Sequence, residues 1–212
     1  MNSPDLLKTE NPAELLVLAS ASPRRRELLA SLGYRFQVVV SHADEKVLPG
    51  ELPHAHVVRL SEAKALEVAR NENVSGRWFL GSDTVVVSDD QILGKPADED
   101  EAASMLGMLS GASHQVYSGY AVYDREQQKM RSGAVVTAVT FRRLTREEIA
   151  GYIASGEPLD KAGAYAIQGL AAAMVRRIEG SYSNVVGLPL CEVAETLEAA
   201  GLPSPLTGIS HA

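Results

Sequence analysis

The sequence predicts an α/β fold built on a mixed β-sheet with flanking helices. Short apolar strand candidates alternate with amphipathic helical segments towards both ends of the chain. Between them, two longer strand candidates are separated by a polar segment, which is the pattern of an antiparallel hairpin. With 212 residues, 45% of them hydrophobic, the chain is long enough to bury a substantial core.

The strand candidates are apolar runs bounded by Gly, Pro or polar residues. In chain order they are residues 15–19, 36–40, 78–87, 92–93, 115–123, 134–141 and 174–178. The helix candidates combine an apolar period of 3.6 residues with a capping residue or an early proline. They are residues 23–32, 54–71, 98–111, 145–155 and 188–200, the last with Pro189 in its first turn. Residues 157–169 have no clean period, which predicts a loop or short turn in a position to face a ligand.

We expect one domain over residues 15–202, between an N-terminal extension (1–14) and a mobile tail (203–212). The net charge of −7 provides no general basic field, so neither a nucleic acid polymer nor an anionic membrane is an expected partner. No apolar run reaches the ~20 residues that span a bilayer, and the N-terminus lacks the order of a signal peptide. Cys191 is the only cysteine and is expected to be packed on the final helix. A cytoplasmic location follows as an expectation.

The first anomaly is an arginine run in the first turn of the helix predicted over residues 23–32. Arg24, Arg25 and Arg26 follow Ser22 and Pro23, which suit the cap and the first position. The helix dipole favours anions at this end, so three guanidinium groups predict a bound anion such as a phosphate. The alternative is a solvated arginine run.

The second and third anomalies are charges at predicted core positions. Lys64 lies at the centre of the apolar face of the helix 54–71, and Asp83 interrupts the buried strand 78–87. Lys64 either extends to solvent along its own methylenes or meets a carboxylate or phosphate in a cleft. Asp83 is either half of a structural ion pair with Lys64 or Arg25, or a metal ligand or general base.

The remaining signals are weaker. Pro96 holds Lys95 extended after a short strand, and Glu45 lies in a polar loop. The five histidines show no metal-ligand spacing, and His114 is expected to be solvated. Neither a GxxxxGK[ST] loop nor GxGxxG occurs, which disfavours P-loop and Rossmann sites. Together, the cationic positions and carboxylates suit a triphosphate with a hard divalent cation.

The same positions carry a resemblance to a known family. The motifs are LASASPRR at 18–25, Glu45, EAKA at 62–65, GSDT at 81–84, KP at 95–96, DKAGAY at 160–165 and IQG at 167–169. In this order, over nearly the whole chain, they resemble the Maf family of nucleotide pyrophosphatases. The resemblance implies an elongated mixed sheet with flanking helices in two lobes around a central cleft, as in the inosine triphosphate pyrophosphatase fold, and a homodimer in many members.

The resemblance also implies an activity, in which dTTP and UTP are hydrolysed to the monophosphate and pyrophosphate. It implies that Asp83 acts on water, that Glu45 and Asp83 hold Mg²⁺ or Mn²⁺, and that the catalytic residues are Asp83, Lys64 and Lys95. The substrate-binding residues it implies are Ser20, Arg24, Arg25, Thr84 and Gln168, of which Arg24, Thr84 and Gln168 set base choice. Ala171, Ala172 and Ala173 depart from the pattern, because glycines are expected there.

Three other functions stay open from the sequence. The first is a nucleotide-binding regulator of cell division or septum formation. The second is a pyrophosphatase for modified nucleotides such as 7-methylguanosine triphosphate. The third is a phosphosugar or other phosphate-transfer enzyme, which would need the basic cluster but no base-reading residue.

Overall fold

The computed structural model describes residues 15–208. The predicted N-terminal extension, residues 1–14, and residues 209–212 of the predicted tail lie outside the described residues. The strands are β1 (Leu16–Leu18), β2 (Phe36–Val38), β3 (Trp78–Ser88), β4 (Gln91–Leu93), β5 (Ser113–Asp124), β6 (Lys129–Phe141) and β7 (Val175–Glu179). The helices are α1 (Pro23–Ser31), α2 (Pro53–Ala69), α3 (Glu99–Leu109), α4 (Arg146–Ala154), α5 (Tyr182–Val186) and α6 (Leu190–Ala199).

The strands form one seven-stranded sheet in the order β2-β1-β3-β5-β6-β7, with β4 paired to β3. β1 runs parallel to β2 and β3, whereas the other pairs are antiparallel. The predicted mixed α/β class is therefore confirmed. The β5–β6 hairpin is longer than predicted, because its ladder continues to Asp124 and Lys129 and leaves only a tight turn between them. No helix within residues 15–208 is long and apolar enough to cross a membrane.

Several local expectations differ from the structure. Helix α5 was not predicted, because five residues capped by Ser181 are too few to show a period. Pro189 is the N-cap of α6 rather than part of its first turn. Cys191 is exposed, so its predicted packing is wrong; the buried side chains of α6 are Val193 and Leu197.

The segment before β7 and the end of the described chain form short 3-10 turns. Residues 157–169, predicted as a loop or short turn, contain Glu157–Asp160 and Ala162–Ala164, and Gly169–Ala173 follows. A further turn, Pro205–Gly208, lies in the predicted tail, where the Pro205 ring approaches Gly33. The mobility of that tail stays a prediction.

One edge of β3 has a gap, and the gap creates a cleft. β5 pairs with β3 along one whole edge, so β1 and β4 share the other edge. β1 pairs with residues 78–80 and β4 with residues 86–88. Residues 81–85 are therefore left without a strand partner on that side, and Asp83, Thr84 and Val85 line the space between β1 and β4.

Helix α2 packs unusually close to the sheet beside this gap. A Cβ added to Gly81 of β3 would lie 2.1 Å from the Ser61 carbonyl oxygen, and one added to Gly119 of β5 would lie 2.2 Å from the Val57 carbonyl oxygen. Only glycine permits such an approach between a helix backbone and a strand. The close packing brings the inward face of α2, including Lys64, directly against β3.

Candidate active site

A cleft of about 720 Å³ opens at the gap in β3. It is lined by all of the residues for which the sequence predicts a site role, namely Ser20, Arg24, Arg25, Glu45, Lys64, Asp83, Thr84, Lys95 and Gln168. They come from the end of β1, the start of α1, the loop after β2, α2, β3, the end of β4 and the segment before β7. The structure therefore brings them together, while the role of each stays a prediction.

The lining of the cleft is cationic although the chain is acidic. Five basic residues line it, Arg24, Arg25, Lys64, Lys95 and Lys161, against three acidic ones, Glu45, Asp83 and Asp160. The whole chain has a net charge of −7. A polyanionic ligand needs a local cluster of this kind, because no general field would attract it.

Lys64 joins two carboxylates at the bottom of the cleft. Its side chain is only 7% exposed, and Nζ lies 2.8 Å from Oδ1 of Asp83 and 2.5 Å from Oε1 of Glu45. Of the two alternatives for Lys64, the structure shows contact with carboxylates in a cleft and not extension to solvent. Burial alone would raise the pKa of Glu45, but the hydrogen bond and charge of Lys64, with Lys95 and Arg25 nearby, lower it overall. Glu45 is thus an ionised carboxylate.

Asp83 forms an ion pair with Lys64, which the sequence offered as an alternative to a catalytic role. One of its two carboxylate oxygens nevertheless stays free. Oδ1 accepts a hydrogen bond from Lys64. Oδ2 has no hydrogen-bond partner in the described part of the chain, and it is not among the described buried atoms that lack one. Oδ2 therefore faces the open cleft, where it can accept a hydrogen bond from water or contact a cation.

Arg25 contacts three separate parts of the chain beside this carboxylate. Ser22 caps α1 by accepting a hydrogen bond from the Arg25 backbone N–H at 3.4 Å. The guanidinium donates to the Gly187 carbonyl at 2.8 Å, to the Thr84 hydroxyl at 3.0 Å and to the Ser20 hydroxyl at 3.4 Å. The guanidinium is thereby fixed between the end of β1, β3 and the α5–α6 loop, and it is held at the cleft surface.

The other two arginines of the run are placed differently. Arg24 is partly buried at the cleft, where burial lowers its pKa and the carboxylate of Asp160 opposes that shift. Arg26 is exposed and does not line the cleft. The solvated alternative therefore holds for Arg26, while Arg24 and Arg25 direct two cationic groups into the cleft.

The segment that carries Gln168 is anchored next to Lys95. The Gly163 backbone N–H donates to the Gly94 carbonyl at 3.0 Å. The Tyr165 hydroxyl and Nε2 of His114 are hydrogen-bonded at 2.8 Å. His114 is buried and burial lowers its pKa to about 4, so the expectation that it is solvated is wrong. Gln168 itself is exposed at the cleft, with its amide available to a ligand.

Sequence reasoning assigned no role to two further cleft residues. Lys161 follows Asp160 in a motif that had already been singled out, and that neighbourhood was the available signal. His56 lies eight residues before Lys64, which places both on the same face of α2. That spacing was readable from the sequence, but histidines were examined only for metal-ligand spacing.

The carboxylates of the cleft fit a hard divalent cation with few protein ligands. Within residues 15–208, no group of three or more His, Cys, Asp or Glu residues is arranged to hold a metal ion. Glu45 and Asp83, however, contact the same ammonium, so their oxygens lie near each other. Mg²⁺ is commonly bound by one or two carboxylates together with substrate phosphates and water. The residues present therefore suit a cation that arrives with its substrate.

The chain is similar to proteins named dTTP/UTP pyrophosphatase. The protein of that name from Syntrophotalea carbinolica is 63% identical over 88% of this chain and 84% of its own length. The one from Geobacter sulfurreducens is 58% identical over 88% of this chain and 96% of its own length.

A likeness to a solved structure is much weaker. A nucleoside-triphosphatase / dITP/XTP pyrophosphatase from Mycobacterium abscessus is 12% identical, with a TM-score of 0.41 over 93% of this chain and 99% of that one. At that score the likeness supports no statement about this chain. Residues 15–200 match the family described as Maf-like protein. The chain therefore belongs to the Maf-like protein family.

Proposed function

We propose that this chain is a nucleoside triphosphate pyrophosphatase that hydrolyses dTTP and UTP to the monophosphate and pyrophosphate. The observation that carries the proposal is the free Oδ2 of Asp83 inside a cleft lined by five basic residues. Relatives that are 63% and 58% identical are named dTTP/UTP pyrophosphatase, which supports the same substrate class.

The reaction is an in-line displacement at the α-phosphorus. Oδ2 of Asp83 accepts a hydrogen bond from a water molecule, orients it and takes up the proton released as its oxygen attacks. The bond between the α-phosphorus and the bridging oxygen breaks, and its electron pair leaves with pyrophosphate. Arg25, Lys64 and Lys95 stabilise the charge that develops on the phosphate oxygens.

Glu45 and Asp83 would hold Mg²⁺ or Mn²⁺ together with substrate oxygens. Such a cation supplies Lewis-acid stabilisation of phosphate charge. The carboxylate of Glu45 is already ionised through its contact with Lys64, so no proton has to be removed before it binds a cation. A requirement for added Mg²⁺ or Mn²⁺ belongs to this proposal.

Base choice is assigned to Arg24, Thr84 and Gln168. The exposed amide of Gln168 offers both a donor and an acceptor, which matches the edge of a pyrimidine ring. Thr84 lies next to Arg25, Arg24 lies near Asp160, and all four residues line the cleft. We also propose that the protein is cytoplasmic and forms a homodimer.

The test is pyrophosphate release from a panel of dTTP, UTP, CTP, ATP, GTP and 7-methylguanosine triphosphate, with Mg²⁺, Mn²⁺ or a chelator. We expect dTTP and UTP to be cleaved fastest and the chelator to stop cleavage. Gln168→Ala should flatten the preference while leaving some turnover. Unchanged selectivity in that variant would favour the phosphate-transfer alternative, and faster cleavage of 7-methylguanosine triphosphate would favour the modified-nucleotide alternative. No release from any nucleotide would contradict the proposal and favour a binding regulator.

A further inference from the structure

His56 is an almost fully buried histidine that nevertheless lines the cleft. Its side chain is 3% exposed, and it lies two helical turns before Lys64 on the inward face of α2. Leu60, halfway between them, also lines the cleft, so the three residues form one stripe of the helix. A buried polar ring at such a place needs partners for both of its nitrogens.

One ring nitrogen is held by a carboxylate. Nδ1 of His56 lies 2.8 Å from Oε2 of Glu51, whose side chain is 7% exposed. Glu51 also accepts hydrogen bonds from Nε of Arg59 at 2.5 Å and Nη2 of Arg59 at 2.7 Å, and from the Leu48 backbone N–H at 3.1 Å. The pKa of Glu51 lies far below its ordinary value, mainly because of the hydrogen bonds from Arg59.

This network determines which nitrogen carries the proton. An ionised carboxylate only accepts hydrogen bonds, so Nδ1 of His56 must donate to Glu51. Nη2 of Arg59 is farther from Nδ1, at 3.3 Å, and bonds Glu51 at a shorter distance. Nε2 is therefore the ring nitrogen that is left to contact a ligand. It has no hydrogen-bond partner among the described residues, and it is not one of their fully buried atoms without a partner.

The two faces of β3 divide the cleft into two sides. Successive strand residues point to opposite faces, so Asp83 points towards α2 and Thr84 points away from it. Thr84 contacts Arg25 and the Gly187 carbonyl, on the side where Val86 packs with Tyr165 and Ile167 near Gln168. Under the proposed function the base lies on this side, near Thr84 and Gln168, and the terminal phosphates extend to the side of α2, where His56 and Lys64 lie.

We propose that His56 is a substrate-contacting residue for the terminal, pyrophosphate-forming part of the triphosphate, and that Glu51 is the positioning residue that fixes its ring. A phosphate oxygen accepts a hydrogen bond at Nε2 when both ring nitrogens carry a proton, and Glu51 accepts the other hydrogen bond, from Nδ1. Arg59 offsets part of the Glu51 charge, and Lys64 is the neighbouring cation on the same stripe. The inference rests on the proposed function for the direction in which the nucleotide lies.

Calorimetric titration tests the inference without depending on turnover. Inorganic pyrophosphate and, separately, dTMP are titrated with Mg²⁺ into wild type, His56→Phe and His56→Gln. Because a hydrogen bond to a charged group contributes strongly to the free energy of binding, His56→Phe should weaken pyrophosphate binding about tenfold or more. Binding of dTMP should stay within about twofold, because the terminal phosphates are missing from it. His56→Gln, which keeps an N–H donor, should recover part of the pyrophosphate affinity.

His54→Phe is the matched control, because His54 is on the same helix but exposed and outside the cleft. It should leave both affinities unchanged. Glu51→Gln should weaken pyrophosphate binding by less than His56→Phe does. Equal loss of pyrophosphate and dTMP binding in both His56 variants, or no loss of either, would overturn the inference. If wild type binds pyrophosphate but cleaves no nucleotide, the proposed function fails separately from the His56 contact.

Discussion

Gly119→Ala is one of two substitutions, with Gly81→Ala, that the close packing of α2 predicts to be strongly destabilising. Gly119 pairs with Asp83 across the β3–β5 ladder. The added Cβ would lie 2.2 Å from the Val57 carbonyl oxygen, 2.4 Å from the Val57 carbonyl carbon and 2.7 Å from Oγ of Ser61. Two of these three atoms belong to the helix backbone, which no side-chain rotation can move. Helix α2 must therefore shift away from the sheet by on the order of 1 Å.

The expected cost follows from that shift. Overpacking lowers the free energy of unfolding by ~1–3 kcal/mol, and we expect the upper end because the two nearest atoms that the new Cβ meets belong to the helix backbone. At about 2–4 °C per kcal/mol for a chain of this size, the melting temperature should fall by roughly 6–12 °C. The same shift separates Lys64 from Asp83, and a misplacement of ~1 Å in an active site can reduce turnover ~100-fold.

Thermal and urea unfolding, with pyrophosphate release measured at a temperature where the variant is folded, check this prediction. Gly107→Ala is the control, because Gly107 is exposed within α3 and no atom lies within 4 Å of its added Cβ. That variant should be stabilised by ~0.5–1 kcal/mol, since alanine favours a helix. Gly119→Ala with the melting temperature and turnover of wild type would refute the reasoning from close packing.

Three further predictions follow from the described contacts. Burial of His114 lowers its pKa to about 4 from 6.5. The neutral ring's contribution to the free energy of unfolding is therefore complete above pH ~6.5 and is lost, by ~3 kcal/mol, as the pH falls through 4. Urea unfolding measured against pH should show this slope, and His114→Phe should remove it. Asp124→Ala should lower the free energy of unfolding by about 3 kcal/mol in urea titrations at neutral pH, because the fully buried carboxylate accepts hydrogen bonds from Arg77 and two backbone N–H groups. A chelator should abolish turnover but leave the melting temperature almost unchanged in differential scanning calorimetry, since the described residues hold no group of three metal-ligating side chains.

The sequence was most informative where a residue contradicted its own element. Lys64 on an apolar helix face and Asp83 in a buried strand were both located by pattern alone, and the structure joins them at 2.8 Å. What joins them is the close approach of α2 to Gly81 and Gly119. Glycine in a strand signals a bulge or a close approach, but not which element approaches it, so this contact was not predictable from the sequence.

Contacts between residues far apart in the chain were beyond the sequence. The Arg25 guanidinium is fixed by the Gly187 carbonyl, a backbone atom that no side-chain pattern marks. Likewise, His114 lies just before the strand predicted over residues 115–123, so its alternation with the buried Val116 gave no signal, and its partners Tyr165 and Phe141 come from other elements. The position of His56 on the inward face of α2 was predictable from its spacing from Lys64. The orientation of its ring was not, because it depends on the carboxylate of Glu51 in the preceding loop.

The most direct test of the proposed reaction is pyrophosphate release from dTTP by wild type and Asp83→Asn, measured side by side with their melting temperatures. Asn has the size of Asp and can still accept a hydrogen bond from Lys64, but it cannot take up a proton from water. We expect equal folding, release by wild type, and a loss of ~100-fold or more in the variant. Near-normal release by a folded Asp83→Asn protein would contradict the assignment of Asp83 and the mechanism built on it.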